Sequence, residues 1–138
     1  MSDEMAEKTE LTFYDRVGGH KVFKEMVRKF YIQVESDPIL MPMYPKQDLV
    51  GAAQRLTLFL EQYWGGPTTY SETRGHPRLR MRHAGFHIAT RQKDAWLKCM
   101  HAAILELSIQ EELKEELWTY FQFAADSMIN QPDEVTNL

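Results

Sequence analysis

Apolar residues recur along most of this chain every three or four positions, the spacing that gathers them on one side of an α-helix. Val22, Phe23, Met26, Val27, Phe30, Tyr31 and Val34 predict one amphipathic helix of about four turns, stopped by Ser36-Asp37-Pro38. A short helix precedes it, with Thr12 placed to cap, Asp15 three residues on and Gly18-Gly19 to end it. The proline-broken stretch from Pro38 to Pro45 is too short for another ordinary helix. Leu49, Ala52, Ala53, Leu56, Phe59, Leu60 and Tyr63 predict the third main helix, with Asp48 as its cap and Gly65-Gly66-Pro67 as its end.

Thr68 to Gly75 reads as a polar loop, and Pro77 suits the first turn of a helix that presents Leu79, His83 and Phe86 on one side. A fourth long helix is expected over 92–107, with Trp96, Met100, Ala103, Ile104 and Leu107 inward. Ser108 and Glu111 have the spacing of a capping box for the last helix. Its face is Leu113, Leu117, Tyr120, Phe121, Ala124, Met128 and Ile129, and Pro132 closes it. No strand-like alternation and no repeat is present, so the expected class is all-α. Residues 1–12 read as a disordered tail, 13–132 as one domain and 133–138 as a second tail.

Composition narrows the function. The 138 residues are 43% hydrophobic and 12% aromatic, enough to bury one core and line a pocket with bulky groups. A net charge of −4 and a pI near 5.7 make a poor general binder of nucleic acid or anionic membrane. Cys99 is the single cysteine, so no internal disulfide can form. No apolar run approaches a membrane span, and the first residues are too polar for a signal peptide, which points to the cytoplasm.

The chemistry centres on His83. Its expected neighbours Leu79 and Phe86 are apolar, while Arg74, Arg78, Arg80 and Arg82 crowd the flank. One imidazole, an apolar wall and adjacent guanidinium groups are what an iron porphyrin requires: a ligand to iron, cover for the macrocycle and cations for two propionates. His83 and His87 stand at i, i+4, with His76 two turns before, but no carboxylate or cysteine joins them and the arginines would repel a zinc ion. His20 and His101 have no comparable setting and read as surface residues. The arginines alone also fit a solvated basic face. Tyr31, Tyr44 and Trp96 carry polar atoms on otherwise apolar surfaces, and Trp96 has no side-chain acceptor in its own stripe. Cys99 lacks a base and carboxylate arrangement for nucleophilic catalysis, and no phosphate-binding or dinucleotide fingerprint occurs.

Phe13-Tyr14 followed by Gly18-Gly19, then Phe30-Tyr31, the run Gln62-Tyr63-Trp64-Gly65-Gly66-Pro67, the run Gly75 to His83, and finally Trp96 resemble the truncated hemoglobins, and among them the second group. The resemblance spans about Phe13 to Pro132. It implies a shortened globin fold with two pairs of antiparallel helices around heme b, and His83 as the proximal iron ligand. Leu79, Phe86, Leu56 and Phe59 would cover the ring, and Arg74, Arg78, Arg82 and the Tyr63 phenol would meet the propionates. On the distal side it places Tyr31, Tyr44, Ala52, Leu56, Phe59 and Trp96. Ala52 leaves a gap where many globins put a larger side chain, while the phenols and indole would donate to a partially negative dioxygen.

The expected function is reversible binding of dioxygen and other diatomic gases, with turnover of nitric oxide or peroxide as a side activity. An unnamed reductase and a homodimer are further expectations. The competing reading is a metal-free helical regulatory or interaction domain with an anion-binding arginine patch.

Overall fold

A computed structural model describes residues 11–44 and 46–132. The expected tail at 133–138 and all but the last two residues of the expected tail at 1–12 lie outside the described residues, as does Pro45. The described chain forms seven α-helices and two 3-10 turns, and contains no strand among the described residues. The helices are α1 (Phe13–Val17), α2 (His20–Glu35), α3 (Leu49–Tyr63), α4 (Thr69–Arg74), α5 (Leu79–Arg82), α6 (Thr90–Leu105) and α7 (Glu111–Ser127). Of the 3-10 turns, Met41–Met43 lies in the proline-broken segment and Lys46–Asp48 follows it, leading into α3.

α1 starts as its sequence requires. The Thr12 hydroxyl accepts the Asp15 N–H at 3.1 Å, and the Thr12 N–H donates back to the Asp15 carboxylate at 3.4 Å. Gly18 and Gly19, with φ of 122° and 73°, then turn the chain into α2. The predicted stripe of α2 is buried as Phe23, Met26, Val27, Phe30 and Val34. Against it pack α3 and α6, and α7 packs on α6. The pairs α2/α3 and α6/α7 are the two layers, joined mainly by the α2–α6 contact. Met100, Ala103, Ile104, Leu117 and Phe121 complete the core between them.

Docking of α1 onto the end of α3 is unusually close. The Tyr14 N–H donates to the Trp64 carbonyl at 3.0 Å, and the Tyr14 ring lies over Gly66. A Cβ at position 66 would stand 2.6 Å from Tyr14 Cδ1 and 2.9 Å from the Glu61 carbonyl oxygen. Gly66→Ala should therefore destabilise the fold by about 1–3 kcal/mol, the usual effect of forcing a methyl group into a filled space. Thermal unfolding measures it, and a midpoint equal to the wild type would mean that α1 moves aside freely.

Four sequence expectations change. The segment 68–75 is not a plain loop but contains α4, which buries Tyr70. Gln62 holds it: its side-chain carbonyl accepts the Ser71 N–H at 2.9 Å and its amide donates to the Ser71 hydroxyl at 2.7 Å. Asp48 occupies the cap position of α3 without capping it, because its carboxylate leans over Gly51 and takes the Arg55 guanidinium at 3.0 Å. The fourth long helix begins at Thr90 and ends at Leu105, two residues earlier at each end, since the Gln92 side chain reaches back to the Ala89 N–H at 2.9 Å. Finally, α7 is preceded by Gln110 as its cap residue, so Ser108 and Glu111 form no capping box.

Candidate functional site

A cleft of about 570 Å³ opens between the two helix layers and the segment around α5. Its size falls within the range of about 300–1,000 Å³ typical of cofactor and small-molecule sites. The broad apolar face of α3 lines it with Ala52, Leu56, Phe59 and Leu60, and only Leu60 of this face is fully buried. A helix face this apolar and this incompletely covered by protein is a surface made for an apolar ligand.

His83 lines the same cleft. Contrary to expectation it is not inside a helix: α5 is a single turn, Arg78 precedes it in the left-handed region with φ 45°, and His83 is the residue that ends it. Pro77 therefore stands before the helix rather than in its first turn, and Phe86 reaches the cleft from the turn beyond, its ring 6.2 Å from that of His83. The break also separates His83 from His87, which is exposed. His83 Nδ1 lies 2.7 Å from the Leu79 carbonyl oxygen. A carbonyl only accepts, so Nδ1 carries a proton, and in the neutral ring the lone pair is on Nε2. This one hydrogen bond orients the ring and sets the tautomer of a metal ligand.

Asn130 supports the same segment. Its side-chain amide donates to the carbonyls of His83 at 3.2 Å and Phe86 at 2.9 Å, and its side-chain oxygen accepts the Ile88 N–H at 3.0 Å. The residue carried no pattern of its own in the sequence and was missed there.

Tyr31, Tyr44 and Trp96 meet in the wall formed by α2, the segment after the first 3-10 turn, and α6. The rings of Tyr31 and Tyr44 stand edge to face at 5.5 Å. The Trp96 indole and the Tyr31 phenol both lie close enough to the Tyr44 hydroxyl to influence it. An acceptor that the Trp96 stripe lacks is thus within reach on another element. Burial, with smaller effects from these two neighbours, pushes the Tyr44 phenol up to about 12, and burial pushes Tyr31 upward too. Both phenols keep their protons at neutral pH and are able to donate.

Of the expected cations, Arg74 and Arg82 line the cleft and Arg78 does not. Arg82 is partly committed elsewhere: Nε donates to the Pro77 carbonyl at 2.6 Å and Nη2 to the Arg74 carbonyl at 2.9 Å. Arg55 and Lys93, unnoticed in the sequence, also line the cleft. Tyr63 is outside the lining; it stacks on Tyr120 at 4.2 Å and stays 53% exposed. Tyr70, Tyr120 and Met128 are additional wall residues, of which the latter two lay on the apolar face already assigned to the last helix.

Other titratable groups are engaged away from the cleft. His20 is exposed, as read from the sequence, and its Nδ1 donates at 2.6 Å to the carboxylate of the buried Glu61. His101 stacks on Trp118 at 4.4 Å. Cys99 is buried, and burial followed by the nearby Asp37 carboxylate raises its thiol to about 11, which leaves it unreactive. Among the described residues no three His, Cys, Asp or Glu side chains gather as a metal cluster. None of the helices described is long and apolar enough to cross a membrane.

The bacterial-like globin family matches residues 12–130. Group 2 truncated hemoglobin YjbI of Bacillus subtilis is 39% identical over 115 residues, which cover 83% of this chain and 86% of that one. Among solved structures, a thermostable hemoglobin from the actinobacterium Thermobifida fusca is 51% identical with a TM-score of 0.86, over 89% of this chain and 100% of that one. The group II truncated hemoglobin from Bacillus anthracis is 35% identical with a TM-score of 0.86, over 90% of this chain and 100% of that one.

Proposed function

Because the chain belongs to the bacterial-like globin family, we propose that His83 is its iron ligand and that Tyr31, Tyr44 and Trp96 face the diatomic ligand from the opposite side. The protein is a truncated hemoglobin that carries heme b and binds dioxygen and other diatomic gases. Heme, when bound, supplies the iron that takes the gas. The rest is work for the chain's own side chains.

The observation that carries the assignment is the His83 Nδ1–H bond to the Leu79 carbonyl, at 2.7 Å. It leaves Nε2 unprotonated on the wall of a cleft whose other surfaces suit a porphyrin. Leu56, Phe59, Leu79 and Phe86 offer apolar cover, and Ala52 leaves an opening rather than a donor. Trp96 and the two phenols are held beforehand by ring packing, Tyr31 against Tyr44 and Phe30, and Trp96 against Phe30. Little reorganisation is then needed when a partially negative ligand arrives. A visible spectrum of the purified, heme-supplemented protein tests the reading. Intense heme absorption is expected, and a colourless protein would return the metal-free regulatory domain to first place.

Arg74 and Arg82 are the cations best placed for the propionates, with the expectation for Arg78 and Tyr63 weakened by their positions. At a partly exposed edge each ion pair contributes about 0–1 kcal/mol. Arg82→Ala should therefore speed heme transfer to an acceptor globin by no more than about fivefold, since 1 kcal/mol is a factor of about five. Arg82→Lys separates two roles. Recovery of the wild-type rate would assign the effect to charge, whereas no recovery would assign it to the guanidinium's hold on Pro77 and Arg74.

Turnover of nitric oxide or peroxide extends the reading, and needs electrons that a reductase partner would return. Homodimer formation is tested by sedimentation. A single buried thiol with no partner for a disulfide supports the reducing environment of the cytoplasm.

A further inference from the structure

Tyr63 belongs to a cluster of rings that runs from the cleft to solvent. Its centroid is 4.2 Å from that of Tyr120 and 5.1 Å from that of Trp64, which is 5.4 Å from Tyr120. Tyr120 lines the cleft, and Tyr63 is 53% exposed. All three are side chains that yield one electron far more readily than aliphatic groups or phenylalanine. A second link through Phe59, at 6.5 Å, is longer and has no dissociable proton. The Trp64 Nε1 is buried without a hydrogen-bond partner among the described residues, a costly arrangement for a ring kept only as filler.

We propose that Tyr63, with Tyr120 as relay, is a surface site where oxidising equivalents produced in the cleft by hydrogen peroxide pass to electron-rich phenols or aromatic amines too bulky to enter. The proposal rests on the heme reading and adds a substrate class to it. Peroxide takes up two electrons and two protons and leaves as two waters. Two external phenols each lose one electron and one proton and leave as phenoxyl radicals. Tyr120 and Tyr63 are each oxidised by one electron, release a proton, and recover both from the next donor. Burial, and then the neighbouring Tyr63 phenol, push the resting Tyr120 phenol up to about 12, so it is the protonated phenol that is oxidised. The vacancy comes to rest on Tyr63, the ring of the pair that solvent reaches.

Heme-loaded wild type, Tyr63→Phe and Tyr120→Phe are treated with hydrogen peroxide and a nitroso spin trap, then digested for mass mapping. Parallel assays follow oxidation of ABTS, a bulky aromatic donor. The wild type should carry the trap on Tyr63, and both variants should lose that adduct and oxidise ABTS several-fold more slowly. Tyr63→Phe should keep the wild-type helical content and unfolding midpoint, with ABTS rates expressed per bound heme, which separates loss of the relay from misfolding. An adduct confined to Tyr31 or Tyr44, or a Tyr63→Phe protein with wild-type ABTS oxidation, overturns the proposal. A wild-type chain that takes up no heme fails at the spectrum, before peroxide is added, and overturns the cofactor reading together with this one.

Discussion

Replacing His83 by alanine should give a chain that loses heme during purification and regains its colour when imidazole is added. The cleft retains its apolar walls in this variant, so a free imidazole has a place to stand beside the Leu79 carbonyl that the His83 ring now uses. Loss of the iron bond also removes stability from the loaded protein. A cofactor that binds only the folded state stabilises it by about 2.7 kcal/mol when present at 100 times its dissociation constant. Much of that difference should show as a lower unfolding midpoint of the variant at equal heme concentration. Wild-type heme stoichiometry with an unchanged ferrous spectrum would sink the assignment. His87 would then be the next histidine to test, although it is exposed and outside the cleft lining.

Trp96→Phe should make dioxygen leave about tenfold faster while affecting carbon monoxide much less. The Tyr44 hydroxyl is the nearby group that can offer the indole N–H a neutral acceptor when no gas is present. Binding dioxygen exchanges that bond for one to a partially charged acceptor. Neutral hydrogen bonds contribute about 0.5–1.5 kcal/mol net and those to charged groups about 1.5–3 kcal/mol, so the gain is the difference, on the order of 1–1.5 kcal/mol. Each 1.4 kcal/mol is about tenfold. Had the indole lacked any partner, the whole bond would have counted and the effect would approach a hundredfold. Phenylalanine keeps most of the volume, so the contact of ring 96 with Phe30 at 5.0 Å survives. Stopped-flow dissociation of the two gases decides the matter. Equal acceleration of both would leave Trp96 as a packing residue.

Much of this arrangement was readable from one sequence because long helices advertise themselves. The stripes of α2, α6 and α7 each repeat over four turns, and Phe23, Met26, Val27 and Phe30 are buried as the spacing required. The short elements were not readable, for a physical reason. Six residues of α4 and four of α5 are too few for a hydrophobic period, and such helices form only because the rest of the molecule holds them. Gln62 does so for α4 through Ser71, nine residues away. Asp48 and Ser108 had the right identities for caps, but the Asp48 carboxylate goes to the Arg55 guanidinium seven residues on, and the last helix starts after Gln110 instead. At the site, His83, Tyr31, Tyr44 and Trp96 stood out as candidates because each combines a polar atom with an apolar setting, and all four line one cleft. Arg55, Lys93 and Asn130 are ordinary polar residues in sequence, and only tertiary packing brings them to the cleft or its supporting segment.

The Asn130 clasp has a consequence for how the molecule is made. Residue 130 follows all of α7, yet it fastens the carbonyls of His83 and Phe86 and the N–H of Ile88. On a ribosome, where folding proceeds from the amino end, α2, α3 and α6 can collapse on one another while this clasp is still being synthesised. A nascent chain would thus form the wall that carries Tyr31, Tyr44 and Trp96 before it could hold the segment that carries His83 still. With His83 as the proposed ligand, heme capture would wait for residue 130 rather than follow the early collapse of α2, α3 and α6.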